Sequence, residues 1–216
     1  MFRFFKTSLV KIMFIFLCLI TGLEANAQGR RATIKNSILS TVNFQQPKDL
    51  TFGEFYNIPG PKNEVLKNDP RYENQRLAPF LNPLNMSEGD PVMISGWANY
   101  IIRQKDNTYT IQIIANTISD GRCVIAAIPS DTSKLVQDEK LKPALHEARR
   151  IVEEQMLQKK ELKIGQERSI VSTPVQVVGQ LFYNTSFIMS ETNKGKKDCT
   201  SRSIWEIHPV TFIKAN

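Results

Sequence analysis

The second half of the chain carries a series of strand-like segments, and this series constrains the fold more than any other feature. Residues Val92–Arg103 and Thr108–Ala115 are rich in β-branched and aromatic side chains, and turn-forming residues 104–107 lie between them. Two such segments joined by a short polar turn predict a β-hairpin. Gly96 inside the first segment indicates a bulge or a tight bend, which a small barrel needs.

The segments that follow have an informative order. Residues 121–129 predict a third strand, and residues 142–160 then place apolar side chains every three to four positions, which is typical of an amphipathic helix. Residues 173–189 and 203–213 predict two further strands. Three strands, a helix and two strands is the order of a five-stranded OB barrel, with its helix between strands three and four. We therefore expect a mainly β, OB-like barrel domain at 91–216.

The N-terminus has the features of an export signal. Basic residues precede the apolar run Ile12–Ile20, and a small-residue Ala-Asn-Ala motif ends at Ala27. The apolar run is too short for a relaxed membrane span. We expect residues 1–27 to be a signal peptide cleaved before Gln28, which predicts a secreted or periplasmic protein that meets the membrane only through this transient leader. A retained anchor is the open alternative.

Between the leader and the barrel, residues 28–90 lack sustained periodicity and are rich in proline and asparagine. This composition favours an irregular, partly ordered arm, with Phe52, Phe55 and Tyr56 as aromatic anchors on the main domain. The leader holds three basic residues and one acidic residue, so its removal lowers the net charge from +7 to +5. That excess is mild and does not by itself imply nucleic acid. The arm contains no cofactor motif, and we expect no cofactor.

Cys123 and Cys199 are the two cysteines outside the leader. In an oxidising compartment a small even number favours one disulfide, and two free thiols are the alternative. Strands three and five of an OB barrel run side by side in parallel. Cys123 opens the third predicted strand and Cys199 precedes the fifth, so both would lie at the same end of the barrel, where a disulfide can form.

Three segments carry a resemblance to a known group of proteins. They are VIAAIP at 124–129, VQVVGQLFY at 175–183 and WEIHPV at 205–210. With them, residues from about 90 to 213 resemble small exported bacterial proteins with an OB-like barrel and a closing E-L-H-P-V-like strand. The resemblance implies a fold and no established activity. It also departs at residues 107–110, where that group often has an Asp-x-His-like element, so chemistry that rests on that histidine would be missing here.

Glu206 and His208 in the last strand are the most suggestive polar pair. Residues two apart on a strand share one face and lie about 7 Å apart. Zinc needs three or four ligands, His146 on the helix is the other histidine in the chain, and there is no G-x-S-x-G nucleophile motif. The structural interpretation is therefore favoured over ligand contact and over catalysis. We predict no metal site and no catalytic residue.

A binding module is the function that the sequence favours. OB barrels hold oligonucleotides or oligosaccharides on the face of strands two and three and on the adjoining loops, and here both loops are basic. Export lowers the expectation for nucleic acid, which stays possible, and raises it for an oligosaccharide, another polyanion or an envelope protein. The candidate ligand-binding residues are Trp97, Arg103, Lys105, Tyr109, Lys194, Lys196 and Lys197.

Two other classes of function are open. A nuclease-like exported hydrolase would need clustered carboxylates on strands two and three, and these strands carry almost none. An envelope-assembly scaffold could use the arm of residues 28–90 to dock on a partner.

Overall fold

The structure is a computed structural model, and it describes residues 31–39, 43–60, 75–77, 79, 81–117, 121–184 and 205–216. The predicted signal peptide and its cleavage site at Ala27 and Gln28 lie outside the described residues. So do Lys194, Lys196, Lys197 and Cys199. None of the helices in the described ranges has the length and apolar character needed to cross a bilayer.

The protein is mainly β, with six strands in one mixed sheet and few helices. In chain order the elements are β1 (Lys48–Leu50), α1 (Phe52–Tyr56), β2 (Pro91–Arg103), β3 (Tyr109–Ile114), β4 (Val124–Ile128), α2 (Lys142–Ile151) with a π-helical continuation (Val152–Met156), β5 (Glu167–Tyr183) and β6 (Trp205–Ala215). The predicted order of three strands, a helix and two strands is present in β2 to β6. The sixth strand is β1, which the arm supplies.

The strands pair in the order β1-β2-β3-β4-β6-β5, and β2 also pairs with β5. The pairings therefore form a ring of hydrogen-bonded strands from β2 through β3, β4, β6 and β5 back to β2. Two pairs are parallel, β1 with β2 and β4 with β6, and the others are antiparallel. The predicted strand order implies that the third and fifth strands lie side by side in parallel, and the β4–β6 pair has this arrangement.

Two glycines allow the strands to approach one another closely. A Cβ atom on Gly96 would lie 2.8 Å from the carbonyl oxygen of Ile114, and one on Gly179 would lie 2.4 Å from that of Pro209. Register shifts flank Gly179, as expected for a bend. The bulge in β2 instead lies between Ala98 and Tyr100, so Gly96 serves close packing and does not itself form the predicted bulge.

The interior of the ring is apolar, and both the helix and the arm complete it. Leu145 and Ala148 on the apolar stripe of α2 are buried in the main cluster, and α2 packs against β6. From the arm, Phe55 is 2% exposed and belongs to the same cluster, and Phe52 packs against it. Tyr56 stacks on Phe52 with a ring separation of 6.3 Å. These aromatic residues make the contact expected of anchors.

Candidate functional site

Strands β2, β5 and β6 present an outer face whose residues can be read from the pairing register. Directly opposed residues on antiparallel strands share a face, and that face alternates along each strand. Val92, Ile94, Val175 and Val177 point into the core. The neighbours between them therefore form the outer face, which the structure divides into two halves, one covered by the arm and one open.

The covered half includes the pair that the sequence singled out. Glu206 is 2% exposed, and its Oε1 atom lies 2.9 Å from Nζ of Lys35 in the arm. Asn184 donates a hydrogen bond to the other carboxylate oxygen of Glu206 at 3.1 Å. His208 Nδ1 lies 3.5 Å from Glu206 Oε1. The carboxylate therefore links the arm to the ends of β5 and β6.

His208 is 1% exposed and also contacts the arm. Its Nε2 atom lies 3.2 Å from Oδ1 of Asn36, and the side-chain amide of Asn36 donates to the Ala32 carbonyl oxygen at 2.7 Å. With the amide oriented in this way, Oδ1 accepts and Nε2 of His208 is the donor. His208 thus holds the helical residues 31–35 against β6, which is the arrangement expected of a structural polar residue.

A second buried ion pair fastens the same helical residues. The Glu88 side chain is completely buried and pairs with Arg31, whose Nη1 atom lies 3.1 Å from Oε2. Glu88 also accepts hydrogen bonds from the backbone N–H groups of Tyr183, at 3.0 Å, and of Leu77. The Arg31 guanidinium lies 4.3 Å from the ring centroid of Phe182, so it covers that outward-facing aromatic.

Arg76 completes this cover. It donates to the side-chain oxygen of Gln180 at 3.0 Å and to the Ser37 carbonyl oxygen at 2.7 Å. Burial lowers the pKa of Arg76 below its usual value, with Glu88 partly opposing the shift. The outward-facing residues at the Gln180 end of the face are thus used internally, to hold the arm.

The other half of the face lies outside this cover, and we call it the open face, although Val178 within it is 7% exposed. It has three rows of opposed residues on β2, β5 and β6. The apolar row ends at Phe212, which is 49% exposed, the middle row is polar, and the third row contains Trp97. The first, apolar row consists of Met93, Val178 and Phe212; the second, polar row of Ser95, Gln176 and Lys214; and the third row of Trp97, Pro174 and Asn216.

Two grooves follow these rows. The polar groove has a volume of about 410 Å³ and is lined by the second and third rows. The apolar groove, of about 470 Å³, contains the first row and is bounded by Phe44 and Pro47 of the arm and by Leu141 and Ala144 near the start of α2. The two grooves are lined by adjacent rows of the open face.

Of the predicted ligand-binding residues, the structure brings Trp97 to the open face. It is half-buried, because it packs against Ile114, Cys123 and Ile125. It also lines the polar groove. Lys105 is exposed in the turn between β2 and β3, beyond the far end of β2.

Tyr109 and Arg103 lie instead in an internal cluster. Tyr109 is fully buried and donates to Glu153 Oε1 at 3.0 Å, while the Arg149 and Arg103 guanidiniums lie 4.4 and 5.6 Å from its ring centroid. Burial, with a smaller contribution from Glu153, raises the pKa of Tyr109 to about 12. Arg103 also pairs with Glu161. Both predicted contacts are thus engaged within the protein.

The face on which the sequence placed the ligand is not open. The residues of β3 and β4 that point away from the core include Gln112, Ile114, Ile125 and Ala127, and their exposed fractions are 1–3%. The expectation of an exposed binding surface on these two strands is therefore wrong, because neighbouring parts of the chain cover it.

Cys123 is fully buried directly before β4. In the parallel β4–β6 pair Ala126 lies opposite Ile207. Cys199 itself lies outside the described residues, so its pairing with Cys123 stays a prediction.

Comparisons with protein-family models, with curated proteins and with solved structures found no match. Among the described residues there is also no group of three or more His, Cys, Asp or Glu side chains that could hold a metal ion. Ser95, Gln176 and Lys214 were not among the ligand-binding residues predicted from the sequence. Their alternation with buried strand residues was a signal that could have found them.

Proposed function

We propose that this protein is an exported, non-enzymatic binding module of OB type, which holds its ligand on the open face. In this proposal β2, β3, β4, β5 and β6 are the five barrel strands, and β1 is an addition from the arm. The ring of strand pairings and the position of α2 between β4 and β5 support the barrel. The predicted leader supports export.

One observation carries the proposal. The arm covers the outer face of β2, β5 and β6 at its Gln180 end with buried ion pairs and hydrogen bonds, yet leaves exposed aromatic and polar side chains at the other end. A concave surface that combines apolar side chains with a few polar groups is typical of a ligand site.

The described ionisable groups support binding over hydrolysis. Glu206 binds Lys35 of the arm, Glu88 joins Arg31 to the backbone N–H of Tyr183 in β5, and Glu153 binds the buried Tyr109 hydroxyl. Each of these carboxylates stabilises a contact between parts of the fold. The residues of the open face include no acidic side chain, and their one ionisable side chain is Lys214. Asp49, opposite Met93, and Glu147, which lines a pocket with Phe212 and Lys214, lie at its edges, and Glu147 pairs with Arg150.

Hydroxyl-radical footprinting tests this proposal and does not require the ligand to be identified first. The mature protein, alone and with a fraction of the producing cell's envelope, is oxidised and digested, and the oxidation of each residue is measured by mass spectrometry. We expect slower oxidation of Met93, Trp97 and Phe212 in the presence of ligand. Leu81, which is 98% exposed, and Ile164 serve as references that keep their rates.

Unchanged oxidation of the open face, or protection confined to Leu81, Ile164 or other surfaces, would contradict the proposal. N-terminal sequencing of the exported protein tests the leader separately, because a chain that starts at Gln28 is expected.

A further inference from the structure

We propose that the polar groove of the open face binds an acidic oligosaccharide, with Trp97 as its stacking platform and Lys214 as the contact to a sugar carboxylate. This inference rests on the proposed function, since it assumes that the open face is the ligand site, and it names the chemical class of that ligand.

Trp97 has the properties of a platform for a sugar ring. Its packing against Ile114, Cys123 and Ile125 holds it in place, so little side-chain freedom remains to be lost on binding. It is only partly buried, and its indole N–H makes no hydrogen bond with any described residue. An indole combines a large apolar surface with one hydrogen-bond donor, and a sugar ring presents apolar C–H groups together with hydroxyls.

The polar row beside Trp97 supplies the hydrogen bonds. Ser95 lies opposite Gln176, and Gln176 lies opposite Lys214. Opposed residues place their Cβ atoms about 5 Å apart, so a hydroxyl, an amide and an ammonium group follow one another across three strands. No described residue makes a hydrogen bond or an ion pair with these three side chains. Such groups can donate to and accept from sugar hydroxyls.

The charge of the groove favours an anionic sugar over a neutral one. Lys214 has the one charged side chain among the residues that line the polar groove, and no side-chain carboxylate is among them. A carboxylate that accepts a hydrogen bond from an ammonium group forms a charge-assisted bond, about twice as strong as a neutral one. One cation beside an indole and an amide suits a uronate chain better than a nucleic acid, whose backbone would need several basic contacts.

The probes are tetragalacturonate and its fully methyl-esterified form, which keeps the sugar backbone and lacks the charges. Binding to the mature protein is measured by calorimetry and by tryptophan fluorescence. The chain has two tryptophans, and Trp205 is fully buried with its Nε1 atom bonded to the Pro59 carbonyl oxygen at 3.0 Å. A change in fluorescence on binding therefore reports on Trp97.

We expect the acidic probe to bind about tenfold more tightly than its ester, the factor that one stronger hydrogen bond supplies. Trp97→Ala should weaken both probes by about tenfold or more, as for a buried aromatic anchor. Lys214→Gln should lower the affinity for the acidic probe to that of the ester and leave the ester unchanged. Lys105→Gln removes the same charge from the β2–β3 turn, and it is the matched control expected to bind both probes normally.

Absence of binding by both probes overturns the inference, and so does equal affinity for the two. Loss of binding in Lys105→Gln with normal binding in Lys214→Gln also overturns the inference. That result would indicate that the ligand binds at the basic loops predicted from the sequence. If the footprint protects Met93, Trp97 and Phe212 while neither probe binds, the acidic-sugar inference fails and the proposed function stands. Protection that protease treatment of the envelope fraction removes identifies a protein partner, and it too overturns the sugar inference.

Discussion

Glu88 offers the sharpest test of how the arm is held. Its side chain is fully buried, pairs with Arg31 and accepts hydrogen bonds from the backbone N–H groups of Tyr183 and Leu77. The substitution Glu88→Gln keeps the size of the side chain and one acceptor oxygen. It removes the negative charge and replaces the second oxygen with an NH₂ group, which cannot accept.

The expected loss of stability can be worked out from these contacts. Breaking a buried ion pair by removing one partner costs about 3–5 kcal/mol, and a buried N–H left without an acceptor costs about 1–3 kcal/mol. Arg31 keeps some access to water, since its side chain is 13% exposed, and one oxygen of residue 88 remains. We therefore expect a loss of about 3 kcal/mol, near the lower end of the first range.

Urea unfolding followed by circular dichroism measures this loss. With a slope of about 2 kcal/mol per molar urea, a change of about 3 kcal/mol moves the midpoint by about 1.5 M. Glu161→Gln is the matched control, because Glu161 pairs with Arg103 but is 77% exposed, and its loss should stay below about 1 kcal/mol. A midpoint for Glu88→Gln that equals the control's would refute the claim that this pair fastens the arm.

Other contacts give three further predictions. Burial raises the pKa of Tyr109 to about 12, so between about pH 10 and pH 12 the folded protein keeps the hydroxyl proton of Tyr109 while the unfolded chain loses it. The contribution of Tyr109 to the free energy of unfolding is therefore complete below about pH 10 and is lost towards pH 12. Urea unfolding across this range should show a smaller decline in Tyr109→Phe, and an equal decline would contradict the assignment. His208→Gln should cost about 1–3 kcal/mol through its bond to Asn36 and leave metal content unchanged, whereas stoichiometric zinc lost with the variant would argue for a ligand role. Peptide mapping without reduction should find Cys123 linked to Cys199. This bond closes a loop of about 75 residues and should stabilise the fold by roughly 4 kcal/mol. Alkylation of both thiols in the native protein would exclude the bond.

The order of the elements was predictable because it depends on local periodicity. The alternation in Val92–Arg103 matches β2 closely, and the helical period of residues 142–160 covers α2 and the π-helical residues Val152–Met156 that follow it. The start of β5 was missed: it begins at Glu167, six residues before the predicted strand, and pairs there with β2 across a bulge. Its polar first residues form a strand because β2 offers hydrogen-bonding partners, which no local pattern reveals.

The candidate site divides in the same way. Local alternation was enough to place Glu206 and His208 on one face of the last strand. Whether a face is open depends on which distant segments lie over it. The tertiary structure buries the outer side of β3 and β4, and it places Arg31, Lys35 and Asn36 over Glu88, Glu206 and His208.

These arm contacts span more than fifty residues, and those that reach Glu206 and His208 span about 170. The sequence by itself determined the order of β2 to β6, with α2 between β4 and β5, and the alternation of faces along a strand, because these depend on neighbours two to four positions away. Only the tertiary structure decided that one half of the face holds the arm while the other stays open. Burial and ion pairing depend on which residues come together when the chain folds, and the spacing of these residues in the sequence does not reveal that contact.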